Sequence, residues 1–251
     1  MTPSASCRQP SSTPAASPRE VEVPAEVQTF ARGEWACAVV TDIGRVRTRL
    51  EDAWAVHFDL RLGDGRVHAA GVFDGMGGHP NGREAAQAAA RHLDQAIVSS
   101  HDVGEVLERL NRPVRATRGG TTAVIALFSA EGPSGAGHLL SVGDSSAYVL
   151  DADGDVLRVN PHDSAGSGAI TDFLGNPELT GHVAPIGLAP GAAILLCTDG
   201  VDGVLGARAL LPALAASPSD AARELQRIAA RVRAAGAPDN ATVLWMGRTG
   251  P

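Results

Sequence analysis

Val72-Phe73-Asp74-Gly75-Met76-Gly77-Gly78 is the stretch on which the fold turns. An apolar run of strand type ends in an aspartate, and a glycine-rich turn leads into residues 82–99, rich in alanine and apolar at helical spacing. Asp-Gly commonly marks a hairpin, and at Asp64 and Asp153 alternating strands on both sides support that meaning. Asp74 differs, because a helix and not a returning strand follows it. Asp199 in Cys197-Thr198-Asp199-Gly200 leads toward a helical stretch in the same way.

Further acids stand at comparable places: Glu51-Asp52, Asp144 in Val142-Gly143-Asp144-Ser145, and Asp239-Asn240 before the last strand. Carboxylates gathered at strand ends, far apart in sequence, suit a hard divalent cation that takes oxygen ligands. Two such ions about 4 Å apart can share a carboxylate and activate a water for in-line attack on phosphorus. A glycine after the shared aspartate lets its carbonyl approach a cation without a side chain in the way. Arg45, Arg47 and Arg49 adjoin the acidic pair, and one guanidinium among them is expected to clamp phosphate oxygens.

Outward from this centre, strands are expected at 35–40, 53–58, 67–73, 122–128, 138–143, 147–150, 156–159, 192–197 and 241–246. Helices are expected at 82–99, 103–110, 204–216 and 220–235. Adjacent hairpins and paired helices are not the alternation of a parallel sheet. Two packed antiparallel sheets with helices outside satisfy the pattern, an α+β arrangement. Residues 1–28 are rich in Ser, Pro and Ala and are expected to be a disordered tail; residues 29–248 form a single domain.

The 251 residues are 44% hydrophobic and carry a formal net charge of −7, which suffices for one sizeable core and lacks the basic footprint of a nucleic-acid binder. Cys7, Cys37 and Cys197 are too few for a disulfide framework or a zinc cage, so a cytoplasmic location is expected. No apolar run is long enough to span a membrane. There is no Gly-x-Ser-x-Gly elbow and no phosphate-binding Gly-x-x-x-x-Gly-Lys-Ser/Thr loop. His79 and His162 are lone histidines beside turns or acids, more in keeping with supporting positions than with ligands.

Thr41-Asp42 through Glu51-Asp52-Ala53, Phe73-Asp74-Gly75-Met76-Gly77-Gly78-His79, Gly120-Thr121-Thr122-Ala123, Val142-Gly143-Asp144-Ser145, Leu196 to Gly200 and Pro238-Asp239-Asn240 follow one another in a specific order. In that order they resemble the motifs of the bacterial metal-dependent protein serine/threonine phosphatases of type 2C, the PPM type. The resemblance implies a four-layer α-β-β-α sandwich of two antiparallel sheets flanked by helices. It implies Mn²⁺ or Mg²⁺, two ions with a third position, and hydrolysis of phosphoserine and phosphothreonine by a hydroxide bridging the metals. By position, Asp74 would bridge both ions and Gly75 would offer its carbonyl. Asp199 and Asp239 would complete the first metal, Glu51 and Asp52 would serve the second, and Asp144 with Asp199 a third. Arg47 matches the phosphate-binding arginine.

The implied partners are phosphorylated proteins, substrates of serine/threonine kinases, met by a monomer without nucleic acid or membrane. Met76 stands where many relatives have a histidine proposed as general acid. Residues 163–188 are shorter than the flap of relatives. The contrasting expectation is a phosphatase-like regulatory or binding module that has lost catalysis.

Overall fold

The computed structural model describes residues 26–77, 80–132, 134–165 and 169–249. Most of the tail expected at 1–28, together with Cys7, Gly78 and His79, lies outside the described residues.

Among the described residues the chain builds a six-stranded and a five-stranded antiparallel sheet. The first sheet contains β1 (Val27–Arg32), β2 (Trp35–Asp42), β7 (Ser146–Leu150), β8 (Val156–Arg158), β10 (Ala193–Cys197) and β11 (Ala241–Arg248), in the order β1-β2-β11-β10-β7-β8. The second contains β3 (Ala53–Leu62), β4 (Gly65–Phe73), β5 (Ala123–Ser129), β6 (Ala136–Val142) and β9 (His182–Gly187), in the order β3-β4-β5-β6-β9. Cys37, Val39, Val72, Val124, Phe128, Ile194, Leu196 and Met246 interlock between the sheets.

The outward faces of both sheets are apolar too, which is why helices must cover them. Helices α1 (Gly82–Val98) and α2 (Glu105–Ala116) bury Ala89, Leu93, Ile97 and Leu110 on the five-stranded sheet. Helices α3 (Asp199–Leu205), α4 (Leu211–Leu214) and α5 (Pro218–Ala234) bury Val201, Leu214, Leu225 and Val232 on the other. The four-layer expectation holds: helices, sheet, sheet, helices.

Several boundaries differ from expectation. β1 begins at Val27, inside the segment read as tail. β9 lies within residues expected to form only a flap, and it pairs with β6. The helix expected at 204–216 is three short pieces, because α3 already starts at Asp199 and Gly206, with φ of 75°, ends it. Helix α2 continues through Pro113 to Ala116, with Val114 buried against the core. Tertiary packing outweighs the one backbone donor that proline lacks.

Register explains how remote residues meet. The end of β4 faces the start of β3 (Phe73 opposite Ala53), and the end of β6 faces the start of β5 (Val142 opposite Ala123). In the other sheet Cys197 at the end of β10 lies opposite Ser146 and Val243, and Ala241 lies opposite Asp42. The loops after β2, β4, β6 and β10 and those before β5 and β11 therefore share one end of the sandwich.

Candidate metal centre

At that end Arg47, Glu51, Asp74, Gly75, Met76, Gly77, Asp144, Ile170, Asp199, Asp239 and Asn240 line one cleft of about 180 Å³. The structure thus brings together seven of the eight residues singled out from the sequence. The eighth, Asp52, does not line the cleft and is buried nearby, its charge acting on Asp74.

Asp74 is positioned by its backbone. Its N–H donates to Thr122 Oγ1 at 3.0 Å, and its carbonyl accepts from Thr122 N at 2.9 Å and Thr121 Oγ1 at 2.7 Å. Thr122 Oγ1 lies 2.7 Å from Ser145 Oγ, beside Asp144. The Gly120-Thr121-Thr122 motif therefore holds Asp74 in place. Gly75 bridges Thr121, and a Cβ on it would lie 2.6 Å from the Gly82 carbonyl oxygen and 2.7 Å from that of Glu51. Only a glycine fits there.

Asn240, buried, does what the sequence did not reveal. Its Oδ1 accepts from Glu51 N at 2.7 Å, while Nδ2 donates to Ile43 O at 2.8 Å and Arg49 O at 3.0 Å. One side chain thereby clamps the arginine loop and Glu51 to the segment that carries Asp239 into β11. The signal available was its place between Asp239 and an apolar run; its three partners are remote in sequence. His162, left as a supporting residue, lies 2.8 Å from Ser146 Oγ and is absent from the cleft lining.

Electrostatically the floor is crowded. Burial, then the charges of Asp52, Asp199, Asp144 and Asp239, hold the Asp74 carboxyl well above the usual carboxylate range. Burial also raises Asp199, with Asp144 and Asp239 adding to it, and raises Asp144, with Asp202 adding. Asp52 is pushed up to about 7 by burial, although Thr242 and Thr198 donate to its Oδ2 at 2.8 Å and 3.0 Å. Its Oδ1 is buried without a hydrogen-bond partner among the described residues.

Arg47 does not stand free for a phosphate: its Nη2 donates to Asp239 Oδ2 at 2.7 Å. Among the described residues no three His, Cys, Asp or Glu side chains close into ligand spacing. Asp239 is turned to Arg47, and Asp52 Oδ2 to the two threonines. The donor chemistry nonetheless fits divalent cations. The set is all oxygen, one buried carboxylate oxygen lacks a partner, and the carboxyls raise one another's pKa, which is the repulsion a cation relieves.

Comparison with solved structures gives the same fold. PppA, a key regulatory component of T6SS in Pseudomonas aeruginosa, is 24% identical with a TM-score of 0.69, over 88% of this chain and 100% of that one. The catalytic domain of the serine/threonine phosphatase PstP in complex with two manganese ions is 24% identical with a TM-score of 0.66, over 86% and 98%. The phosphatase MsPP from Mycobacterium smegmatis, in complex with cacodylate, is 23% identical with a TM-score of 0.66, over 84% and 97%. No curated protein matches by sequence. The family model for Stage II sporulation protein E (SpoIIE) matches residues 63–249 and starts beyond Arg47, Glu51 and Asp52, which the fold itself carries to the cleft. That match covers most of the chain, and the chain belongs to the SpoIIE family of PPM-type phosphatases.

Proposed function

We propose that this chain is a Mn²⁺- or Mg²⁺-dependent phosphatase that removes phosphate from phosphoserine and phosphothreonine of proteins. The observation that carries it is the meeting of Asp74, Glu51, Asp144, Asp199 and Asp239 with Arg47 in one cleft. Asp74, Gly75, Asp199, Asp239 and Glu51 would hold a pair of divalent ions, with Asp52 behind them and Asp144 beside a third position. Those ions, when bound, would offset the carboxylate charge and supply an activated water near neutral pH.

The chain's own residues do the rest. Arg47 exchanges Asp239 for two phosphate oxygens, a transfer its position in the cleft wall allows. Gly77 lies against the Arg47 guanidinium, where a Cβ would meet Nη1 at 2.9 Å, so the glycine leaves that side chain room to turn. Thr121 and Thr122 keep Asp74 fixed while the phosphate is positioned. Met76 cannot donate a proton, and no histidine lines the cleft among the described residues. Proton delivery to the leaving alkoxide therefore falls to solvent or a lining carboxyl.

The test is Mn²⁺-dependent hydrolysis of p-nitrophenyl phosphate. Asp239→Asn should lower turnover at least about 100-fold with an unchanged circular dichroism spectrum, because it removes a ligand and the partner of Arg47 together. Unchanged turnover would refute the assignment. The second reading, a binding module without catalysis, is favoured by Met76 at the cleft and by the likeness to PppA, a regulatory component in its own organism. Saturable Mn²⁺ binding without any turnover would select it.

A further inference from the structure

The cleft floor is acidic, yet the rim beside it carries arginines without carboxylate partners. The chain contains no lysine, so its 21 fixed positive side chains are all arginines, and as a whole it is acidic with a net charge of −7. Most of its arginines are committed, as in Arg32 to Asp59, Arg109 to Glu105, Arg223 to Asp220 and Arg233 to Asp42. Arg49, Arg83 and Arg118 are exposed and have no side-chain hydrogen bond or ion pair among the described residues.

The backbone beside each of these three adjoins residues of the cleft. Arg49 is two residues from Arg47 and from Glu51, both of which line the cleft. Arg83 follows Gly82, whose backbone packs against Gly75 and Met76. Arg118 precedes Gly119 and Gly120; Gly119 packs on the Asn81 carbonyl and Gly120 on the Met76 sulfur. Glu84 adjoins Arg83 in the same turn, and Val46 on the arginine loop is 68% exposed.

The backbone beneath the rim is fixed. Asn240 Nδ2 holds the Arg49 carbonyl, and Asn81 Nδ2 donates to Thr117 O at 2.9 Å. Gly119 N donates to Thr117 Oγ1 at 3.1 Å. Three exposed arginines therefore stand on backbone that adjoins the residues of the cleft, in a chain whose net charge is −7. Guanidiniums engage carboxylates through paired, planar donors.

We infer that this rim selects phosphorylated protein segments whose residues flanking the phosphoserine or phosphothreonine are Asp or Glu. The inference rests on the proposed phosphatase reaction for the phosphate itself. Rim contacts of this kind raise encounter and affinity and weaken with salt.

The test compares three phosphoserine peptides of equal length with acidic, neutral and basic flanks, using the full chain with Mn²⁺. At low salt the acidic peptide should exceed the neutral one about tenfold in kcat/KM, mainly through KM, and the advantage should shrink at high salt. In the double variant Arg49→Gln, Arg118→Gln the advantage should fall to about twofold or less, while p-nitrophenyl phosphate turnover stays within about twofold of the parent. Equal kcat/KM for the three peptides, or an advantage untouched by the double variant, would overturn the inference. So would an equal loss on p-nitrophenyl phosphate, which marks a structural effect. Fluorescence anisotropy of the labelled peptides reads the rim without turnover. Preferential binding of the acidic peptide by a chain that hydrolyses nothing would strike down the proposed reaction and leave the rim standing.

Discussion

At the scale of single residues, Asn240 and Gly44 bear more than their chemistry suggests. Asn240 makes three hydrogen bonds from a buried side chain, each worth about 1 kcal/mol net. Asn240→Ala should therefore cost about 2–3 kcal/mol in denaturant unfolding and lower kcat/KM at least about tenfold, because Glu51 and Arg47 lose their shared anchor. Gly44 has a φ of 80°, and a Cβ there would lie 2.3 Å from the Asp239 carbonyl oxygen. Gly44→Ala should cost roughly 1–3 kcal/mol of stability and weaken Mn²⁺ binding, read by calorimetry, since the backbone of Asp239 must move. The acids themselves were legible: Asp74, Asp144, Asp199 and Asp239 each end or begin an apolar run, and all line the cleft. The Arg47–Asp239 pair was not, since it joins residues 192 positions apart.

At the scale of elements, residues 172–181, between β8 and β10, are gathered around one carboxylate. Asp172 accepts from Phe173 N and Asn176 Nδ2 at 2.9 Å, and from Thr180 N, Thr180 Oγ1 and Gly181 N at 2.7–3.1 Å. Asn111 on α2 grips the same loop through Gly175 N and Asn176 O, and Leu174 pairs with Thr121 in both directions. Asp172→Ala should speed hydrogen exchange at residues 173–181 by about tenfold or more while β10 and β11 keep their protection, because the lost acceptors serve this loop alone. β9 escaped notice in the sequence for a physical reason. It is an edge strand with Pro185 in it and mostly exposed side chains, so no alternation announces it. β4, β5, β10 and β11 were plain because sheets covered on both faces give continuous apolar runs.

At the scale of the whole molecule, one end of the sandwich is held against charge repulsion. Burial pushes the Asp52 carboxyl in the fold up to about 7 from its ordinary value of 3.8. Below the lower value both states are protonated and the group contributes nothing. Between the two values only the unfolded chain has given up its proton, so stability falls as pH rises, and above the upper value the loss is complete. In the metal-free protein Asp52→Asn should thus be stabilising, little at pH 4 and by a few kcal/mol at pH 8, read by thermal unfolding. Mn²⁺ should raise the midpoint of the parent more than that of the variant. The layering was legible from hairpins and paired helices, whereas the convergence of the acids at one end follows from register, which no local pattern contains. Titration calorimetry of Mn²⁺ into the full chain at neutral pH tests that convergence most directly. Saturable binding of about two or more ions per chain, lost in Asp74→Asn, is the expected result; no saturable binding, or binding indifferent to Asp74→Asn, would contradict it.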